Sequence, residues 1–207
     1  KLKKPGAAGA GVDLSAAAHH IEEFLRALGH APSSDPELAN TGKLVASAFH
    51  DELLRGYRMD AAQILSEALA ADGGDMVLVR DLDVTCICPH HLLPASGVLH
   101  VGYVPAGKLV GLGALARLAE CFSRRLILQE TLSEQIAEAL ATHLGAPFAA
   151  CVAELSPACL NARGAHPAHA RATSAASAGR ARHDAALRAQ FFALLGQRDT
   201  AGMESAP

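Results

Sequence analysis

The stretch MVLVRDLDVTCICPHHLLPASGVLHVGYV, residues 76–104, decides how the chain is read. Met76 to Val79 and the alternating segment Val98 to Val104 are strand-like, and they flank a polar, Cys- and His-rich stretch from Cys86 to His91. Pro105-Ala106-Gly107-Lys108 then reads as a turn into Leu109-Val110. The unit is β-loop-β. Its loop gathers Cys86, Cys88, His90 and His91 within six residues, and thiolate with imidazole is a donor set that suits zinc. Composition alone leaves open both a metal site and its plainer alternative, a buried thiol beside surface histidines. A tetrahedral site needs a further ligand from elsewhere. Cys159 is the best candidate, because Cys121 and Cys151 fall on apolar helix and strand patterns. Three protein ligands leave a fourth position for water.

Outward from this unit the pattern is mostly helical. Upstream, Ala17, Ile21, Phe24, Leu25 and Leu28 share one helix face that Gly29 stops. Asp35-Pro36 predicts the start of a second helix running to Gly56, and a third is expected from Asp60 to Ala71. Downstream, helical spacing runs from Ala114 to Leu126. Thr131 to Glu134 has the form of a capping box for the next helix, which Gly145 ends. Phe148 to Leu155 and Arg171 to Ala178 are expected strands, with a closing helix over Ala185 to Leu195. Helices, strands, helices and strands in blocks predict an α+β fold rather than strict βαβ alternation. The expected organisation is a disordered tail over 1–12, an N-terminal helical segment over 13–72, a main domain over 73–197 and a C-terminal tail over 198–207.

Composition excludes several classes. The chain has 207 residues, enough for one domain with a sizeable core. No apolar run approaches the roughly 18 residues needed to cross a bilayer, so no membrane span is expected. A formal charge of −3 without local segregation offers no basic surface for phosphate backbones, so no nucleic-acid partner is expected. The odd count of five cysteines and the lack of a signal-peptide pattern point to a reducing compartment, the cytoplasm. The first residue is Lys1 rather than Met, which leaves a preceding targeting segment open. His19-His20, on the first helix, reads as surface.

The two motifs Cys88-Pro-His90-His91-Leu92-Leu93-Pro94 and Cys159-Leu-Asn-Ala-Arg163-Gly164 resemble the hallmarks of GTP cyclohydrolase I. Val79-Arg80-Asp81, Tyr103-Val104-Pro105, Gly111-Leu112, Ala116-Arg117, Arg124-Arg125-Leu126, Gln129-Glu130 and Glu134-Gln135-Ile136 extend the resemblance. It implies a T-fold, an antiparallel sheet with paired helices, assembled into a decameric ring with active sites between subunits. It further implies zinc held by Cys88, His91 and Cys159, and His90 as a proton-transferring residue. Glu130 and Gln129 would hold guanine, and Arg117 and Arg163 the triphosphate of GTP. The implied reaction opens the guanine imidazole ring by hydrolysis at C8, releases formate and, after ribose rearrangement, gives dihydroneopterin triphosphate, a step of pterin and folate biosynthesis.

The chain departs from the family pattern at chemically important places. Pro89 stands where the pattern has an acidic residue, and Pro157 where it has a second proton-transferring histidine. Gly113-Ala114 replaces Ser-Lys; Leu44 and Ser47 replace basic residues of an early helix motif; His166 replaces a later Arg. The joint loss predicts weaker triphosphate binding, since charge-assisted hydrogen bonds contribute about 1.5–3 kcal/mol each when desolvated. Lys43, His166 and His169 are the groups placed to compensate. Two alternatives therefore stand beside the orthodox activity: a zinc hydrolase of a purine-like substrate without a triphosphate, and a non-catalytic zinc-binding paralogue. Cys86 lies outside the pattern and reads as a spare thiol, with a ligand or a partner in oxidation with Cys88 as its other readings.

Overall fold

A computed structural model describes residues 11–163 and 169–197. The expected tails lie outside the described residues apart from Gly11 and Val12, as do Gly164 and His166. Strand β2 (Val77–Ile87) turns through a short loop into β3 (Pro94–Tyr103); β3 pairs with β5 (Ala149–Pro157), and β5 with β6 (Ala172–Ala178). All pairings are antiparallel, in the order β2-β3-β5-β6. Helices α4 (Leu112–Ser123) and α5 (Gln129–Leu144) cover one face. Leu115, Leu118, Leu132, Ile136 and Leu140 pack there against Leu99, Val101, Cys151 and Leu155, all fully buried. The helix α7 (Ala185–Gly196) covers part of the opposite face with Phe191 against Phe148, Ala150 and Val152. This is the expected α+β architecture, built with small residues because aromatics are scarce.

Several boundaries differ from the sequence expectation, each for a visible reason. Asp35-Pro36 does not start a helix. The Asp35 carboxylate accepts the Glu37 N–H at 3.0 Å and its carbonyl the Leu38 N–H at 3.1 Å, closing turns instead. The helix α2 (Thr41–Ser47) begins later, continues as a π-helical turn over Ala48–Leu53, and is followed by a 3-10 turn over Arg55–Arg58. It lies against α1 (Leu14–Ala27) so closely that a Cβ on Gly42 would come within 2.4 Å of the Ala18 carbonyl oxygen. Helix α3 (Ala61–Ser66) ends early, and the residues expected to finish it form β1 (Leu69–Ala70), paired with β4 (Lys108–Leu109).

The Thr131 capping box is also overridden. Helix α5 starts at Gln129 because residues 125–128 are pinned to the end of β2: Ile87 N–H donates to Arg125 O at 3.3 Å and Ile127 N–H to Ile87 O at 3.0 Å. Ser133 turns its hydroxyl to Gln129 O and to Ser174 Oγ. At the other end Gly145, φ 68°, provides the left-handed stop as expected. Strand β2 is broken by a bulge between Val79 and Leu82, where Asp81 has φ 57° and donates its N–H to His100 Nδ1 at 3.2 Å.

Tyr103 is fully buried, and its hydroxyl accepts the Val110 N–H at 2.9 Å, tying β3 to the segment that leads into α4. Tyr103→Phe leaves that buried donor unpaired. It should lower stability by about 1–3 kcal/mol, read as a fall in the urea unfolding midpoint with the slope unchanged.

Candidate active site

The site grows out of the sheet register. Cys86 pairs with Ala95, and Ala95 with Pro157, so these three lie in one row across β2, β3 and β5. Cys88 and Cys159 each follow two residues beyond their member of the row. Cys88 N–H donates to Leu93 O and Leu92 N–H to Cys88 O, both at 2.9 Å, closing a tight loop in which Leu92 takes φ 55°. Cys159 is not in a loop, as the sequence suggested, but on a single helical turn, α6 (Ala158–Asn161). Asn161 holds that turn in place, its amide donating to Ser156 Oγ at 2.8 Å and Ala170 O at 3.0 Å.

This brings one donor atom each from Cys88, His91 and Cys159 to within 4.8 Å of one another. Among the described residues it is the only such group of three. Cys88 Sγ and His91 Nδ1 are 4.0 Å apart, and His91 Nε2 receives an N–H from Arg163 at 2.8 Å. Two thiols and one imidazole converging at this spacing fit a tetrahedral zinc with one position left open. His90 points its ring edge-on toward His91, with centroids 6.3 Å apart, and is exposed.

The other predicted residues are placed less uniformly. Gln129 lies at the start of α5, carried close to the β2 end by the 125–128 pairing. Its amide N–H groups are already used, donating to Ala153 O at 2.9 Å and Ala172 O at 2.7 Å, so only Oε1 is left to meet a ligand. Glu130, beside it in the first turn, is exposed and lies where the helix N-terminus favours a carboxylate. Arg117 is on α4, ion-paired with Glu67, and hydrogen-bonds to none of the three candidate ligands. Ala114, where the family pattern has Lys, is buried in the core, while Leu44 is 65% exposed without a charge to offer. Sequence reasoning missed the Gln129 clamp and the Arg163–His91 contact, because both depend on which strand ends meet in space.

The remaining cysteines are not among the converging donors. Cys151 and Cys121 are fully buried, as their apolar patterns implied. Burial pushes the Cys151 thiol up to about 12 and raises Cys121, the latter offset in part by Arg125. Cys86 belongs to β2 and not to the loop; burial first, then the nearby Cys88, pushes it up to about 11.

With this geometry in view, similarity to known proteins is informative. Residues 17–196 match the family described as GTP cyclohydrolase I. GTP cyclohydrolase 1 of Campylobacter lari is 40% identical over 176 residues, 84% of this chain and 92% of that protein. That of Methylococcus capsulatus is 39% identical over 162 residues, 78% of this chain and 87% of that protein. One of two such proteins of Pseudomonas aeruginosa is 37% identical over 183 residues, 88% of this chain and 97% of its own. Among solved structures, an archaeosine synthase QueF-like chain in apo form is 16% identical, with TM-score 0.42 over 51% of this chain and 95% of that one. The antiparallel sheet with its paired helices and the family match over residues 17–196 together define a T-fold protein of the hydrolase class. The chain belongs to the GTP cyclohydrolase I family.

In the folded, metal-free protein, a thiol reagent such as iodoacetamide should modify Cys88 and Cys159, which are partly exposed, and spare Cys121 and Cys151. Peptide mass spectrometry checks this; labelling of Cys151 at the rate of Cys159 would contradict the burial described.

Proposed function

We propose that this protein opens the guanine imidazole ring of GTP by hydrolysis, releasing C8 as formate and yielding dihydroneopterin triphosphate, with a zinc ion held by Cys88, His91 and Cys159. The observation that carries the reading is the convergence of those three donors, from two separate motifs, on one point at the end of the sheet. When bound, zinc supplies a Lewis acid and a water-derived nucleophile available near neutral pH. His90, adjacent to the ligand His91 and free of hydrogen bonds among the described residues, moves protons to and from the reacting ring. Glu130 accepts N–H groups of the guanine edge, and Gln129 presents Oε1 while its amide nitrogen keeps β5 and β6 together. Arg117 and Arg163 meet phosphate oxygens. Pro157 cannot take a proton, so of the two positions matched to the family's proton-transferring histidines only His90 is an imidazole, which predicts slow turnover.

The test is formate release from GTP by the zinc-loaded protein. His90→Ala should keep its zinc and lose about 10²-fold or more in rate, whereas Cys159→Ala should lose zinc itself on metal analysis. Because Leu44, Ser47, Gly113, Ala114 and His166 leave few phosphate contacts, calorimetry should rank GTP, GMP and guanosine within about tenfold of one another. Glu130→Ala should weaken all three alike. Pro89 and Pro157 favour one second reading, a zinc-binding paralogue without catalysis; full zinc content with neither formate release nor nucleotide binding would establish it.

The open edges of the sheet at β2 and β6 support a ring of copies, a decamer with shared pockets. Arg117, ion-paired with Glu67 and hydrogen-bonded to none of this chain's candidate ligands, then serves a neighbour's pocket. Light scattering should give a mass several times 21.4 kDa; a monomer at micromolar concentration would contradict the shared site. The odd, unpaired cysteines support a cytoplasmic setting.

A further inference from the structure

Gln129 is fastened to the sheet twice, by its side chain and by its main chain. Its amide nitrogen donates to Ala153 O on β5 at 2.9 Å and to Ala172 O on β6 at 2.7 Å. Its carbonyl oxygen lies 3.2 Å from the Ser174 hydroxyl and 3.3 Å from that of Ser133, and the two hydroxyls are 3.0 Å apart. Ser174 is the β6 residue directly opposite Ala153, so the clasp closes around one register pair of the two strands. The helix needs such a tie, because its N-cap Leu128 has no side-chain acceptor to offer the first-turn N–H groups. Ser133 belongs to the same helix as Gln129 and by itself joins α5 to nothing. Ser174 comes from the sheet. Each hydroxyl has one proton, and either way of sharing the two leaves Ser174 bonded to α5, at Gln129 O or at Ser133 Oγ.

We infer that Ser174 is a positioning residue for recognition of the guanine edge, acting through the main chain of Gln129. The Gln129 carbonyl belongs to the planar peptide unit that leads into Glu130, so a bond that fixes the direction of this carbonyl also fixes where the Glu130 side chain sets out. Glu130 is exposed, and none of the side-chain hydrogen bonds or ion pairs among the described residues includes it, so its aim is set by the backbone. The inference rests on the reading of Gln129 and Glu130 as the guanine contact given above, and adds to it a β6 residue that touches no ligand. Hydrogen bonds from a planar ring edge to a carboxylate weaken steeply with angle, so a looser helix start binds less well while the fold persists. The loss is on the scale of one net hydrogen bond, about three- to tenfold in affinity.

The experiment uses the full-length, zinc-loaded protein, with guanosine as the probe in calorimetry. Ser174→Ala removes only the hydroxyl and should weaken guanosine binding by about three- to tenfold. Ser174→Thr, which keeps a hydroxyl on a strand-favouring residue, should stay within about twofold of the wild type. Ser174→Val, with the shape of threonine and no hydroxyl, should follow Ser174→Ala. A double-mutant cycle separates positioning from a general loosening of the site. With Glu130→Ala in place, Ser174→Ala should lower affinity no further, because the group it aims is gone; general loosening would add its full factor in both backgrounds. Guanosine affinity unchanged in Ser174→Ala and Ser174→Val, or a loss that persists in full beside Glu130→Ala, would overturn the positioning role and leave the guanine reading standing. Guanosine that does not bind the wild type, or that binds indifferently to Glu130→Ala, would overturn both.

Discussion

The register of β2, β3 and β5 is the constraint on which the site depends. Cys86, Ala95 and Pro157 form one cross-strand row, and the two thiol ligands each lie two residues past it, Cys88 in the loop after β2 and Cys159 on α6 after β5. A slip of one residue would turn Cys88 or Cys159 to the opposite face and carry the buried side chains of that strand into water. The core therefore enforces the geometry of the site. Leu99, Val101, Cys151 and Leu155, with no exposed surface, specify the register that brings two thiols and an imidazole together at the rim. The 125–128 segment adds a second tie to the same strand end, which is why Gln129 and Glu130 begin their helix beside the loop and not elsewhere.

Much of this was legible in the chain because it is local. The Cys- and His-rich loop between a strand-like run and an alternating segment specifies a hairpin with donors at its tip, and the apolar periodicity around Cys121 and Cys151 removes them as ligands in favour of Cys159. The illegible parts are those that a competing contact decides. Asp35-Pro36 carries a helix-start signal that its own side chain diverts into a turn. Thr131 to Glu134 carries a capping signal overruled by pairing between Ile87 and residues 125–127. The first signal admits two local outcomes, and the second is settled by residues distant from those that bear it.

Charge around the site tells a consistent story within the single chain. Each arginine matched to phosphate has another partner, Arg117 with Glu67 and Arg163 with His91. The position of the missing lysine, Ala114, has been absorbed into the core beneath α4. The positions matched to phosphate contacts have therefore drifted further from the family pattern than the three candidate ligands have. The drift is physically cheap: a surface cation can be lost with little effect on folding, whereas changing the strand ends that carry Cys88 and Cys159 would disturb the register.

The bulge at Arg80 and Asp81 bears on what the edge of the sheet can accept. It divides an exposed edge strand into a run of three residues, Val77 to Val79, and a run of six, Leu82 to Ile87, with a left-handed residue between them that His100 holds in place. A foreign strand laid along this edge finds its hydrogen-bonding rhythm interrupted after a few residues. Only an incoming strand shaped to the interruption can pair on both sides of it. The edge thus discriminates among callers by cadence rather than by side chain, and a newly made chain carries its own safeguard against indiscriminate stacking.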